Sequence, residues 1–282
     1  MTEFMGKHLQ NPLIASSCIA TESVSNILRL AKKGVQGAIL KSCADYQRKA
    51  IEGKRQFAVD SHKYTYASSP FEKEILTLGE CVRLMKELRP HTDILLIPSF
   101  TAAGLSSSDW IPACRRLENA GADGIQLDFF YMGNIIGTEG FSEKIVKFLS
   151  KLTTALNIPI MPKLNVNLPK DYIIPLLVKS GVEYVSLLDS VRSPYLEKKN
   201  GDYHISNRLD ADTTSCFGNW QLPLTLSYTY TAARNGLKVC AGGGVICADD
   251  VRKLLAAGAL TVQSATFLTK HPARTGELVS IA

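Results

Sequence analysis

Apolar residues in this chain fall into short unbroken runs. Eight stand out: NPLIASSC (11–18), GAILKSC (37–43), DILLIPSF (93–100), GIQLDFF (124–130), IPIMPKL (158–164), YVSLLDS (184–190), KVCAGGG (238–244) and LTVQSAT (260–266). Runs of this kind are the pattern of parallel strands buried on both faces. Between them lie segments with apolar residues every three or four positions, among them SVSNILRLAKK, FEKEILTLGECVRLMKEL, DWIPACRRLENA, SEKIVKFLSKLTTAL and ADDVRKLLAA. That is the spacing of amphipathic helices. Eight strands, each followed by a helix, predict an α/β fold: a single (β/α)8 TIM barrel occupying residues 1–282 as one domain.

A repeated plan supports the barrel. KKGVQGAILKS, NAGADGIQLD, KSGVEYVSLLD and AAGALTVQSAT each place a glycine (Gly34, Gly121, Gly181, Gly258) where a helix should end, because a positive φ costs least there. Three of these strands then run to a charged residue: Lys41, Asp128 and Asp189. The IPIMPKL strand likewise reaches Lys163. In barrels, the C-terminal strand ends carry the chemistry. Two lysines and two aspartates there could simply neutralise one another; but an uncompensated buried ion costs about 3–5 kcal/mol, which favours a site that uses them. Two long connections break the plan, residues 44–72 after the second strand and 191–221 after the sixth. Both leave the C-terminal face, and loops this long are read as lids or substrate walls.

Composition narrows the function. With 45% hydrophobic and 21% charged residues, the chain has the balance of a globular protein able to bury a large core. The formal charge of +6 comes from 32 Lys+Arg against 26 Asp+Glu, and the bases are dispersed. Dispersed bases predict neither a nucleic-acid arm nor a membrane surface, and they suit a small anionic ligand. The seven cysteines include no CxxC pair, and no apolar run reaches membrane-spanning length. These features predict a cytoplasmic protein whose thiols are mostly packing residues, with no metal centre and no iron–sulfur cluster.

The seventh strand ends in AGGGVICADD (241–250) and the eighth in QSATFLTK (263–270). Glycines there let a ligand approach the backbone, and the helix opening near Ala248, with Asp249 or Asp250 as cap or first-turn acid, adds its positive end. A phosphate is expected at this junction, beside Ser264, Ala265 and Thr266.

With these segments in view, the sequence resembles the dihydroorotate dehydrogenase group of FMN-dependent barrels, together with the pyrimidine-reducing domain of dihydropyrimidine dehydrogenase. The likeness covers most of the chain, through LQNPLIASS (9–17), GAILKS (37–42), GADGIQLD (121–128), IPIMPKL (158–164) and VCAGGGVICADDVRKLLAAGALTVQSAT (239–266). It implies an FMN oxidoreductase of pyrimidine metabolism, or one acting on a related small ring or conjugated substrate, in an enzyme class whose members are often homodimers. By the same resemblance, Lys41 lies beside flavin and substrate, and Lys163 faces the pyrimidine end of the flavin. Ala15 and Ser16 lie under the ring, Gly218 and Asp189 approach the cofactor, and Gly243, Gly244, Ala265 and Thr266 hold its phosphate.

The chain departs from that family on the substrate side. Where the family carries an Asn-Leu-Ser-Cys-Pro-Asn segment, this chain reads Asp128-Phe129-Phe130-Tyr131-Met132-Gly133-Asn134, without a Cys or Ser to take a proton, so a reaction other than standard orotate chemistry is expected. Asp189-Ser190 replaces an Asn-Thr, and Tyr66-Ala67-Ser68-Ser69 is the nearest counterpart of the family's loop after strand two. Asp128 and Tyr131 are the candidates for proton handling. Tyr131 is either a phenol donor or, with Phe129 and Phe130, part of an apolar cover. Cys18 and Cys43 read as packed thiols, and His62 and His204 as loop residues within reach of the mouth. Two other functions stay open: a lyase whose Lys163 or Lys41 forms a Schiff base, and an FMN-binding subunit without catalysis.

Overall fold

The computed structural model describes residues 2–45, 57–60, 65–68, 75–129, 138–194, 196–205 and 214–280. Its centre is a large, curled parallel sheet of eleven strand segments. In chain order these are β1 (Leu13–Ala15), β2 (Gly37–Ile39), β3 (Cys43–Ala44), β4 (Leu76–Thr77), β5 (Leu95–Ile97), β6 (Ser99–Thr101), β7 (Ile125–Asp128), β8 (Ile160–Lys163), β9 (Tyr184–Leu187), β10 (Lys238–Gly242) and β11 (Ala259–Ser264). The spatial order is β4-β3-β6-β7-β8-β9-β10-β11-β1-β2-β5. The helices are α1 (Val24–Lys32), α2 (Leu78–Leu88), α3 (Ser107–Asn119), α4 (Phe141–Ala155), α5 (Lys170–Lys179), α6 (Leu222–Arg234), α7 (Ala248–Ala256), α8 (Thr266–Lys270) and α9 (Thr275–Val279). The fold is α/β, as the pattern of runs predicts.

Each strand shows why its run is unbroken. Leu13 and Ala15 pack into the core between sheet and helices, while Ile14 between them faces the other way. The same alternation puts Val185 and Leu187 toward the helices and Tyr184 away from them. Successive side chains of a strand point to opposite faces, so both faces must be apolar when both are buried. The helix-free face holds a separate cluster in which Ile14, Ile39, Ile97, Met161 and Tyr184 meet Phe4, Met5 and Leu9. Those last three belong to an N-terminal hairpin, Thr2–Phe4 paired with Lys7–Leu9, which the apolar pattern does not reveal.

Three expected boundaries are corrected. DILLIPSF is two segments divided at Pro98, which has no N–H to donate to a ladder. GAILKSC is likewise two segments, with Leu40, Lys41 and Ser42 between them. The helix expected over 71–88 starts only at Leu78, since Leu76–Thr77 pairs with Cys43–Ala44. Thr77 caps α2: its hydroxyl accepts from Glu80 N at 3.1 Å, and Glu80 Oε2 accepts from Thr77 N at 2.8 Å, a reciprocal capping box. The four helix-ending glycines behave as expected, with φ of 91° at Gly34, 95° at Gly121, 78° at Gly181 and 106° at Gly258.

The two long connections meet. Val191–Arg192, Ser215–Gly218, Thr65–Ser68 and Phe57–Asp60 form one four-stranded antiparallel sheet in that order. A separate hairpin joins Leu196–Lys199 to Asp202–Ile205.

Candidate functional site

The helix-free face changes chemistry along the strands. Beyond the apolar cluster lies a buried polar layer of Ser99, Gln126, Ser186 and Gln263. Gln263 ties this layer across the sheet: its Nε2 donates to Ser186 Oγ and to Leu187 O, both at 2.8 Å, and its Oε1 accepts from Ser16 Oγ at 2.8 Å. At the C-terminal ends come the charged residues. Asp128 and Lys163 are register partners on β7 and β8, two residues beyond Gln126 and Met161 and therefore on the same face.

Lys163 Nζ lies 2.9 Å from Asp189 Oδ2, and both side chains are largely buried. The other Asp189 oxygen accepts from Ser190 N at 2.7 Å. Burial alone would pull the Lys163 pKa down, but the Asp189 and Asp128 carboxylates outweigh it and hold the ammonium above its ordinary value. Asp128, 2% exposed, accepts from Ser42 Oγ at 2.7 Å. Ser42 Oγ also lies 3.2 Å from the hydroxyls of Ser17 and Ser99. Ser99 in turn accepts from Gln126 Nε2 at 2.9 Å. Among the described residues, the buried atoms Gln126 Oε1 and Thr101 Oγ1 find no hydrogen-bond partner. Lys41 is buried just after β2, its N–H donating to Thr21 O at 3.1 Å.

The glycine run after β10 is held from behind by α6 and the turn before it. Leu188 N and Thr225 Oγ1 reach Gly242 O, Thr225 Oγ1 lies 2.9 Å from Gly243 O, and Asn219 Nδ2 donates to Gly244 O at 2.6 Å. Asp250, in the first turn of α7, accepts from Ile246 N at 3.0 Å and from Asn219 Nδ2 at 3.3 Å. Gly244 has a φ of +91°, and a Cβ there would stand 2.6 Å from Leu222 N. No larger residue fits.

Most of the expected site residues converge at this end of the sheet. Ser16, Lys41, Asp128, Lys163, Asp189, Gly243, Gly244, Ala265 and Thr266 all sit at or just beyond C-terminal strand ends. Ala15 turns its side chain into the sheet–helix core, so it offers the mouth backbone only. Gly218 ends the strand that pairs with Thr65–Ser68, and its N–H donates to Gln221 Oε1 at 3.3 Å. Gln221 Nε2 donates to Asp189 O at 2.9 Å, which joins that turn to the ion pair. Tyr131, Phe130 and His62 lie outside the described residues. Phe129 packs in the sheet–helix core, 6.1 Å from Trp110 between ring centroids, and so forms no cover over the mouth. His204 is exposed on its hairpin.

Sequence reading passed over Ser42, Thr225, Asn219, Gln221 and the role of Gln263. Ser42 had a signal, being adjacent to Lys41 at a strand end. Asn219 and Thr225 had none, because the glycine-loop carbonyls they hold lie 17 to 25 residues further along the chain.

The hydrogen bond to Cys81, burial and nearby acids push the Cys43 thiol well above its ordinary value, which fits a packed thiol. Among the described residues no group of His, Cys, Asp or Glu could hold a metal, and no helix is long and apolar enough to cross a membrane. Compared with known proteins, the chain matches no family model and no curated protein.

Proposed function

We propose that this chain is an FMN-dependent oxidoreductase of the dihydroorotate dehydrogenase-like type, built on a (β/α)8 barrel and acting on a small ring or conjugated substrate. The barrel reading rests on pairing. β2 and β3 count as one strand and β5 and β6 as another, broken at Pro98. With the short β4 set aside as an addition beside β3, each strand then pairs with the next, and β11 with β1. A second apolar cluster without helix residues supports it, since a closed sheet has an interior of its own.

The observation that carries the functional reading is the juxtaposition, at one end of the parallel sheet, of a buried lysine–carboxylate group and a glycine loop held from behind. The residues fit FMN. Gly243, Gly244, Ala265 and Thr266 are partly exposed and would hold the phosphate; Ser16 and the Ala15 backbone would lie under the ring. FMN, when bound, supplies hydride exchange at N5. Lys163 provides a fixed positive charge for the pyrimidine end of the ring, and Asp189 and Gln221 orient it. Lys41 stands beside the substrate. Asp128, hydrogen-bonded by Ser42, is the described residue placed to take or return a substrate proton.

A raised pKa keeps Lys163 protonated at neutral pH, and a protonated amine is no nucleophile. This weighs against a Schiff-base lyase acting through Lys163. The test is the visible spectrum of the purified protein, with mass spectrometry of what heat releases. A flavin spectrum with released FMN supports the reading; a colourless protein that takes up no added FMN ends it.

A further inference from the structure

The glycine loop carries more than a tight turn. A trans peptide is planar, so a carbonyl and the following N–H point in opposite directions. Thr225 Oγ1 has one proton and three carbonyls near it, Gln221 O and Gly242 O at 3.2 Å and Gly243 O at 2.9 Å. Gly242 O is already served by Leu188 N, and the shortest contact is to Gly243 O. That bond aims the Gly244 N–H away from α6. Asn219 Nδ2, holding Gly244 O, likewise aims the Val245 N–H away from its own side. Neither N–H donates to another described residue. The next one, Ile246 N–H, is taken by Asp250. The loop thus presents two adjacent donors of preset direction, the arrangement that backbone nests offer to anions.

We propose that Thr225 and Asn219 are positioning residues that preorganise this donor pair for a phosphate group. The phosphate being that of FMN rests on the function proposed above; the donor pair does not. Neither side chain touches the anion. Each acts through a carbonyl, so its loss frees a peptide to rotate and weakens phosphate binding without altering contacts to the rest of the ligand.

The experiment compares wild type with Thr225→Val, Thr225→Ser and Asn219→Ala. FMN and riboflavin affinities are read by flavin fluorescence, and the response to inorganic phosphate by thermal melting. The loss of one charge-assisted hydrogen bond corresponds to about tenfold in affinity. Wild type should favour FMN over riboflavin and melt higher in phosphate. T225V and N219A should each lose about tenfold in FMN affinity with riboflavin within about twofold, and T225S should restore the preference. Should T225V fail to fold, N219A at its half-buried position carries the same comparison. Variants that keep the wild-type preference, or that lose both flavins in parallel, would overturn the inference, as would a wild type indifferent to phosphate. A protein that answers to phosphate but takes up neither flavin keeps the donor pair and ends the flavin reading. One that binds FMN equally well with and without Thr225 does the reverse.

Discussion

At the scale of single residues, Lys163 shows which electrostatic effect wins. Burial opposes the charged ammonium, yet the carboxylates of Asp189 and Asp128 raise its pKa. With the folded value above the unfolded one of about 10.4, the ion pair's stabilisation is complete below that pH and is lost as pH rises through the folded value. Asp189→Asn removes the nearer carboxylate, so burial regains ground and the lysine pKa falls. The stability gap between wild type and D189N should therefore be constant near neutrality and shrink above about pH 10.4. Urea unfolding at pH 8 and at steps through the alkaline range measures it, and a gap that does not change with pH would refute the pairing. Gly244 makes a different demand. Positive φ and a Cβ 2.6 Å from Leu222 N together should make Gly244→Ala cost at least about 2 kcal/mol, visible as a lowered melting temperature.

At the scale of elements, the order of strands and helices was legible because each strand is buried on both faces. Each run between its glycine and its terminal charge therefore reads as a unit. The breaks were not legible. Pro98 interrupts a run whose side chains stay apolar on both sides, and hydropathy does not register a missing N–H. The meeting of the long connections was equally hidden, since Thr65–Ser68 finds its partner at Ser215–Gly218, far along the chain and without local signal. The start of α2 is the case where local chemistry should have decided. T-x-x-E is a capping box, and Thr77 with Glu80 marks Leu78 as the first helical residue. Thr77→Ala should destabilise the protein by about 1 kcal/mol, as measured by chemical unfolding, with Thr77→Ser retaining most of the cap. Equal stability of the alanine and serine variants would mean the cap contributes nothing.

At the scale of the whole molecule, the two ends of the sheet do different work. Lys41, Asp128, Lys163 and Asp189 could be found from sequence because a charge ending an apolar run is conspicuous. The opposite end could not, because TEFMGKHL carries only three apolar residues in no period. Yet Phe4 is fully buried, sits edge-on to Tyr184 with ring centroids 5.1 Å apart, and shares its cluster with Met5, Leu9 and Met161. The hairpin therefore acts as a plug for the helix-free face. Two outcomes separate a plug from an ornament. If Phe4 completes an interior, Phe4→Ala leaves a cavity with little room to collapse, and the loss should be about 3–5 kcal/mol. If the hairpin only rests on the surface, neighbours and solvent fill the space, and the cost stays within about 0.5 kcal/mol. Urea denaturation of the two proteins decides between them. Because Phe4 lies at the far end of the strands from the glycine loop, the variant should keep the wild-type response to phosphate wherever it remains folded. A large stability loss with unchanged phosphate binding would show one sheet serving two ends, stability at one and ligand chemistry at the other.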